Sequence, residues 1–311
     1  MNPPVARLGL GGAALGVLFE PVGEAQALAT VDAAWEAGIR IFDTSPLYGG
    51  GLSEERFGRA LSRRPREAYF LSTKTGVSRP YGQAAAPPGG ARRAADVWDY
   101  SADATRRSVA ASLTRLAANR VDLVHLHDVE RRTDAAMTAY PELERLRAAG
   151  TIGGIGIGAN TVDAPLELMA RARFDAVLVA GRYSLLDQSM LRLAKTAEQA
   201  GTRLIVGGVF NSGILATGAR PGATFHYDPA PPEVLERVRA IEALCARYQV
   251  PLRAAALQFP LAHPLVHALL LGARHPAELR DCLSMLAVPI PSAFWRDLQR
   301  DGHVDRGCPL P

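Results

Sequence analysis

The chain has 311 residues, 48% hydrophobic and 21% charged, with 35 basic against 31 acidic residues and a formal charge of +4. That composition can bury a substantial core and excludes a disordered chain. No apolar run reaches the roughly eighteen residues of a membrane-spanning helix and no dense basic block occurs, so neither a membrane nor nucleic acid is an expected partner.

The opening "MNPPVARLGLGGAALG" lacks a basic segment followed by a long apolar core and a cleavage site, so a cytoplasmic location is the expectation. "RLGLGG" reads as the first strand. Gly9, Gly11 and Ala14 nominally match a G-x-G-x-x-A dinucleotide fingerprint, but "LGVLFEPVGE" follows where a helix N-terminus would have to meet the pyrophosphate. A helix is expected over 24–38, ending on Gly38 as a left-handed cap, and then the strand "IRIFD". After it, "TSPLYGGGLSEERFGRAL" turns through three glycines into a helix beginning near Ser53, where "SEE" suits an N-cap and first turn. "RRPR" at 63–66 reads as a solvated loop.

The strand "AYFLSTK" leads into an extended loop over 75–100, followed by a helix over 103–118 with Asp103 as N-cap and Val109, Leu113 and Leu116 on one face. Four more strands follow: "VDLVHLH", "IGGIGIGAN", "FDAVLVAG" and "TRLIVGGV". A second extended loop spans 211–232, and the helix from Pro232 to Tyr248 has Leu235, Val238, Ile241 and Leu244 as its apolar stripe. "HALLLG" is the eighth strand. Cys245, Cys282 and Cys308 lack metal or disulfide spacing and read as buried free thiols, so no metal is expected. Strands alternating with helices at this length favour an α/β chain folded as one (β/α)8 TIM barrel domain over 1–311, with long βα loops at its C-terminal face. A doubly wound sheet is the competing architecture.

In a barrel the active site gathers residues from strand C-terminal ends. Asp43 closes "IRIFD", Lys74 closes "YFLSTK", His127 closes "DLVHLH", Asn160 follows "IGIGA", and Tyr48 comes from the loop after Asp43. Singly, each has an ordinary structural explanation: a turn former, a solvated lysine, a core histidine beside His125. Together they suit one chemistry. A nearby ammonium favours a phenolate, so Lys74 would lower the Tyr48 pKa and make it usable for proton transfer, with Asp43 holding Lys74. His127 could hydrogen-bond the reacting oxygen and Asn160 a carboxamide, an arrangement for carbonyl reduction or alcohol oxidation by hydride transfer.

These residues and their contexts, "FDTSPLYGGGLSEERFGRAL", "STK", "VDLVHLHD", "IGIGAN", "ALQFPLAHP" and "LLLGARHPAELRDCL", resemble the aldo-keto reductases over nearly the whole chain. The resemblance implies a barrel binding NAD or NADP across its mouth, a catalytic tetrad of Asp43, Tyr48, Lys74 and His127, and Asn160 at the nicotinamide carboxamide. It also implies cofactor contacts at Phe210, Gly213, Leu215, Gly272, Arg274 and Arg280. Three positions depart from the family pattern: Ala159, Ala180, and Phe210 in place of a stacking tyrosine. "AGRYSLLDQ" and "GGVFNSGILA" are similar to the family's sugar-dehydrogenase branch, which implies oxidation at C1 of an aldose of the L-fucose, D-arabinose or L-galactose type, with Phe19, Tyr81 and Trp98 as walls for the sugar. Oxidation of pyridoxal, reduction of other aldehydes, and a non-catalytic nicotinamide-binding subunit are the alternatives. Missing phosphate partners lean the cofactor toward NAD, while Arg274 keeps NADP open.

Overall fold

The computed structural model describes residues 5–16, 20–79, 96–130 and 132–311. Eight parallel strands close into a barrel: β1 (Leu8–Gly11), β2 (Ile41–Asp43), β3 (Phe70–Thr75), β4 (Leu123–His127), β5 (Ile155–Ala159), β6 (Ala176–Ala180), β7 (Arg203–Gly207) and β8 (Val266–Gly272). Each pairs with its neighbours in chain order, and β8 closes onto β1. The principal helices around it are α1 (Glu24–Glu36), α2 (Leu52–Leu61), α3 (Ala102–Arg115), α4 (Tyr140–Ala148), α5 (Asp163–Met169), α6 (Leu191–Ala200), α7 (Pro232–Tyr248), α8 (Leu252–Leu261), α9 (Pro276–Leu286) and α10 (Ser292–Arg300).

Side-chain alternation along each strand divides the core into two parts. Outward residues such as Phe42, Leu71, Val124, Leu126, Ile157, Val177, Val206 and Leu269 join the helices in one large cluster. Inward residues Leu123, Ala176, Leu178, Ile205, Ala268 and Leu270, with Ile41 and Phe70, fill the barrel itself. Toward the strand C-termini that inner face turns polar, with Asp43, Lys74, His125 and His127 all buried. The same alternation explains the nominal fingerprint: a Cβ on Gly9 would come within 2.6 Å of Leu270, its partner on the adjacent strand β8, so its bare backbone serves packing.

Two expected helix starts differ from the structure. The α3 cap is Ser101, whose hydroxyl accepts from the Ala104 amide at 3.3 Å, rather than Asp103 in the first turn. The α2 cap is Gly51, not Ser53. Ser53 is buried, donates to the Gly12 carbonyl and accepts from the Thr44 hydroxyl, each at 2.8 Å, while the buried Glu54 takes Thr73 Oγ1 at 2.5 Å and Arg115 Nε at 2.7 Å. These two side chains tie α2 to β1, β2, β3 and α3, which fixes the turn carrying Tyr48. Elsewhere Gly38 takes the left-handed conformation past α1 and the three cysteines are buried free thiols, as the sequence suggests.

Neither long loop is wholly irregular. A hairpin pairs Val77–Ser78 with Val97–Trp98, and the second loop holds a short helix (Ile214–Thr217) and a hairpin of Thr224–Phe225 with Asp228–Pro229. Among the described residues no helix is long and apolar enough to cross a membrane.

Candidate active site

A cavity of about 490 Å³ opens at the C-terminal end of the barrel, and Tyr48, Lys74, His127 and Asn160 all line it. Its size suits a small-molecule or cofactor site.

Asp43 and Lys74 form the floor. Lys74 Nζ donates to Asp43 Oδ2 at 2.5 Å and to the Thr44 carbonyl at 2.8 Å, and Ser72 Oγ donates to Asp43 Oδ1 at 2.7 Å. Their side chains are only 1% and 5% exposed, so the two charges are compensated almost wholly by each other. Three consecutive glycines, 49 to 51, have positive φ and fold the Tyr48 loop tightly against the loop after β1. A Cβ on Gly16 would stand 2.5 Å from the Tyr48 carbonyl carbon and 2.6 Å from its Cβ.

The Tyr48 ring stands edge-on to His127, with centroids 5.8 Å apart, and the Lys74 ammonium lies 5.2 Å from its centre. Burial pushes the phenol well above its ordinary value of 10, and Asp43, Tyr227 and Asp128 push the same way. The sequence-based expectation of a lowered pKa is therefore not met: Asp43 neutralises Lys74, and loss of hydration dominates. Burial likewise pushes His127 well below its ordinary value, with Lys74 adding to the effect, so the imidazole is neutral. Its Nδ1 meets Ser45 Oγ at 3.0 Å. With Ser45 donating there, Nε2 carries the proton and can donate to a carbonyl or hydroxyl oxygen beside Tyr48.

Asn160 is held by charge. Its side-chain amide donates to Asp128 Oδ1 at 2.9 Å, its backbone amide to Glu130, and its carbonyl accepts from Arg182. Asn211, which the sequence reading passed over, also lines the cavity; Nδ2 donates to the Gly181 carbonyl at 3.1 Å, while buried Oδ1 has no partner. An orphan acceptor at a cavity wall fits a ligand bearing an amide donor, as nicotinamide does.

None of the remaining cofactor candidates, Phe210, Gly213, Leu215, Gly272, Arg274 and Arg280, lines the cavity. Phe210 packs against the core and is not a lining residue; its carbonyl accepts from the amides of Gly213 and Leu215 at 3.0 and 3.1 Å. Leu215 is fully buried. Gly272 ends β8, Arg274 follows it, and Arg280 is exposed on α9. Arg274 is engaged by Glu278 and by Glu20, each at 2.5 Å. Of the expected sugar walls, Phe19 and Tyr81 lie outside the described residues. Trp98 is off the cavity lining, with the Arg132 guanidinium 4.0 Å from its ring centre.

The cavity walls instead carry Arg79, Asp96, Asp128, Arg182 and His226. Arg79 and Asp96 form a bidentate pair, with side chains 8% and 4% exposed. Seven described non-glycine residues have positive φ, and five of them, Asp128, Asn211, Ser212, His226 and Tyr227, line this cavity. His226 and Tyr227 are the two-residue tip of the second loop's hairpin, a turn of the kind usually built with Asn and Gly, and Ser212 Oγ accepts the Tyr227 amide at 2.8 Å. No group of three or more His, Cys, Asp or Glu among the described residues is placed to hold a metal.

The Aldo/keto reductase family model matches residues 7–300. The chain belongs to this family. It is similar to D-threo-aldose 1-dehydrogenase from Pseudomonas sp, 39% identical over 94% of this chain and 93% of that one. Pyridoxal 4-dehydrogenase from Microbacterium luteolum is 38% identical, over 96% and 95% of the two chains. Among solved structures, the glycerol dehydrogenase from Gluconobacter oxydans shares the fold at a TM-score of 0.74 and 23% identity, covering 98% of this chain and 93% of its own. An aldo-keto reductase from Bacillus halodurans in its holo form has the same TM-score and identity, over 94% and 91%. As an aldo/keto reductase, the protein is an oxidoreductase.

Proposed function

We propose that this aldo/keto reductase oxidises the anomeric hydroxyl of an aldose, in its cyclic hemiacetal form, to the aldonolactone, with Tyr48 as general base and, in reverse, general acid. A nicotinamide cofactor supplies the two-electron acceptor for the hydride leaving C1. Tyr48 takes the hydroxyl proton as the C1–O bond becomes a carbonyl, His127 hydrogen-bonds that oxygen, and Lys74, fixed by Asp43, sits behind the phenol.

The observation that carries this reading is the meeting of Tyr48, Lys74 and His127 at one cavity above a buried Asp43. Asp128 and Arg182 on the cavity wall, beside Tyr48 and His127, offer hydrogen-bonding groups that suit a polyhydroxylated ligand, and the similarity to D-threo-aldose 1-dehydrogenase supports it. Almost equal similarity to pyridoxal 4-dehydrogenase supports pyridoxal as the second reading.

Asn160 and Asn211 are the proposed contacts of the nicotinamide amide, and NAD the favoured dinucleotide. Around Arg274, two carboxylates outweigh one guanidinium, so a 2′-phosphate would meet net negative charge, whereas ribose hydroxyls can donate to carboxylates. The test is to supply NAD or NADP with L-fucose, D-arabinose, L-galactose or pyridoxal and follow nicotinamide reduction. Turnover of pyridoxal but no sugar would replace the first reading by the second, and a preference for NADP would overturn the cofactor assignment.

A further inference from the structure

His125 lies on β4 one inward position below His127, in register with Lys74 on β3 and Gly156 on β5. It is fully buried, and neither ring nitrogen completes a hydrogen bond of ordinary geometry, although the Ile157 backbone lies close enough to interact with the ring. Nε2 stands 3.8 Å from Asp43 Oδ1. An unpartnered polar ring in a barrel interior lowers stability relative to an aliphatic side chain, and nearby inward positions do hold Leu123, Leu178, Ile205 and Leu270. A second position is adapted to the ring: a Cβ on Gly156 would lie 2.5 Å from His125 Nδ1. Two sites on adjacent strands thus accommodate an imidazole where a leucine would pack more simply.

We propose that His125 is a positioning residue for hydride transfer: its neutral imidazole presents Nε2–H to Asp43 and fixes the carboxylate that orients Lys74 beneath Tyr48. This rests on the reading of Tyr48 as the acid and base. Asp43 already receives Ser72 on Oδ1 and Lys74 on Oδ2, and a third donor approaching Oδ1 restrains rotation of the carboxylate about its axis. Closing the 3.8 Å separation by about 0.8 Å makes a hydrogen bond. The charged and titratable groups facing the ring are Asp43 from β2, Lys74 from β3 and His127 from its own strand, while β5 brings only glycines 156 and 158. Burial pushes the imidazole down to about 3 against the opposing pull of Asp43, so it adds no cation that would compete with Lys74 for the carboxylate.

The experiment compares His125→Leu, which removes the donor, with His125→Gln, which keeps one; His125→Met replaces the leucine variant if that does not fold. In full-length protein labelled with ¹³C at aspartate carboxyls, the Asp43 resonance is assigned by its loss in Asp43→Asn. It is expected to move in the apolar variant and to stay near its original position in His125→Gln, a readout that needs no substrate and so stands whether or not aldoses are turned over. On whichever substrate the unmodified protein oxidises, the apolar variant is expected to lose about tenfold in kcat with KM within about twofold, as Lys74 loses its hold beneath Tyr48. An unmoved Asp43 resonance in the apolar variant, or glutamine no better than leucine, overturns the proposal.

Discussion

Replacing Lys74 by methionine keeps the length of the side chain and deletes its charge. Asp43, 5% exposed in its side chain, then keeps Ser72 on Oδ1 but loses the Lys74 ammonium from Oδ2. Leaving one member of a buried ion pair costs about 3–5 kcal/mol. At about 2 °C per kcal/mol for a chain of this size, the thermal midpoint should drop by roughly 8 °C at pH 7. Adding Asp43→Asn should return part of that loss while activity stays absent, because the lone charge is gone but the site is not restored. A thermal midpoint unchanged in Lys74→Met, or a double variant no more stable than Lys74→Met, would refute this account of the pair.

Three further outcomes follow from the geometry. Tyr48→Phe should bind the cofactor as before, by fluorescence titration, while turnover falls by about 10²- to 10⁴-fold, the usual range for losing a general acid or base. Because the phenol lies well above 10, oxidation, which needs phenolate, should rise with pH up to about tenfold per unit between pH 7 and 9, and carbonyl reduction, which needs the phenol, should stay flat; an oxidation optimum near pH 7 counts against Tyr48 as the base. Gly16→Ala places a methyl 2.5–2.6 Å from Tyr48 atoms, so circular dichroism should show an intact fold, with stability lowered by about 1–3 kcal/mol and kcat reduced more than cofactor affinity.

The barrel could be read from the chain because its strands are short apolar runs ending in polar residues, a pattern that is local in sequence. Asp43, Lys74, His127 and Asn160 were visible for the same reason: each interrupts such a run at its C-terminal end. Ser53 was misread as a cap, and Glu54, which does sit in the first turn of α2, had its buried role missed, because their partners, Gly12, Thr73 and Arg115, are far along the chain. The state of Tyr48 was misjudged for a related reason. Sequence shows that a lysine is present but not that its charge is already neutralised, nor how much water the phenol has lost. Asn211 gave no signal at all, since its orphaned carbonyl oxygen exists only once strand ends β6 and β7 have been brought side by side.

The positive-φ residues around the cavity bear on any attempt to toughen this molecule. Left-handed backbone at a non-glycine residue costs of the order of 1–3 kcal/mol, somewhat less for Asn and Asp, so Ser212, His226 and Tyr227 are obvious targets for glycine in a thermostability screen. Each such exchange would also delete a side chain from the cavity wall, and at Ser212 the hydroxyl that holds the hairpin tip. Selection for heat resistance alone would therefore drift toward a barrel that survives longer and recognises less, with the losses concentrated on one hairpin rather than on the strands beneath it.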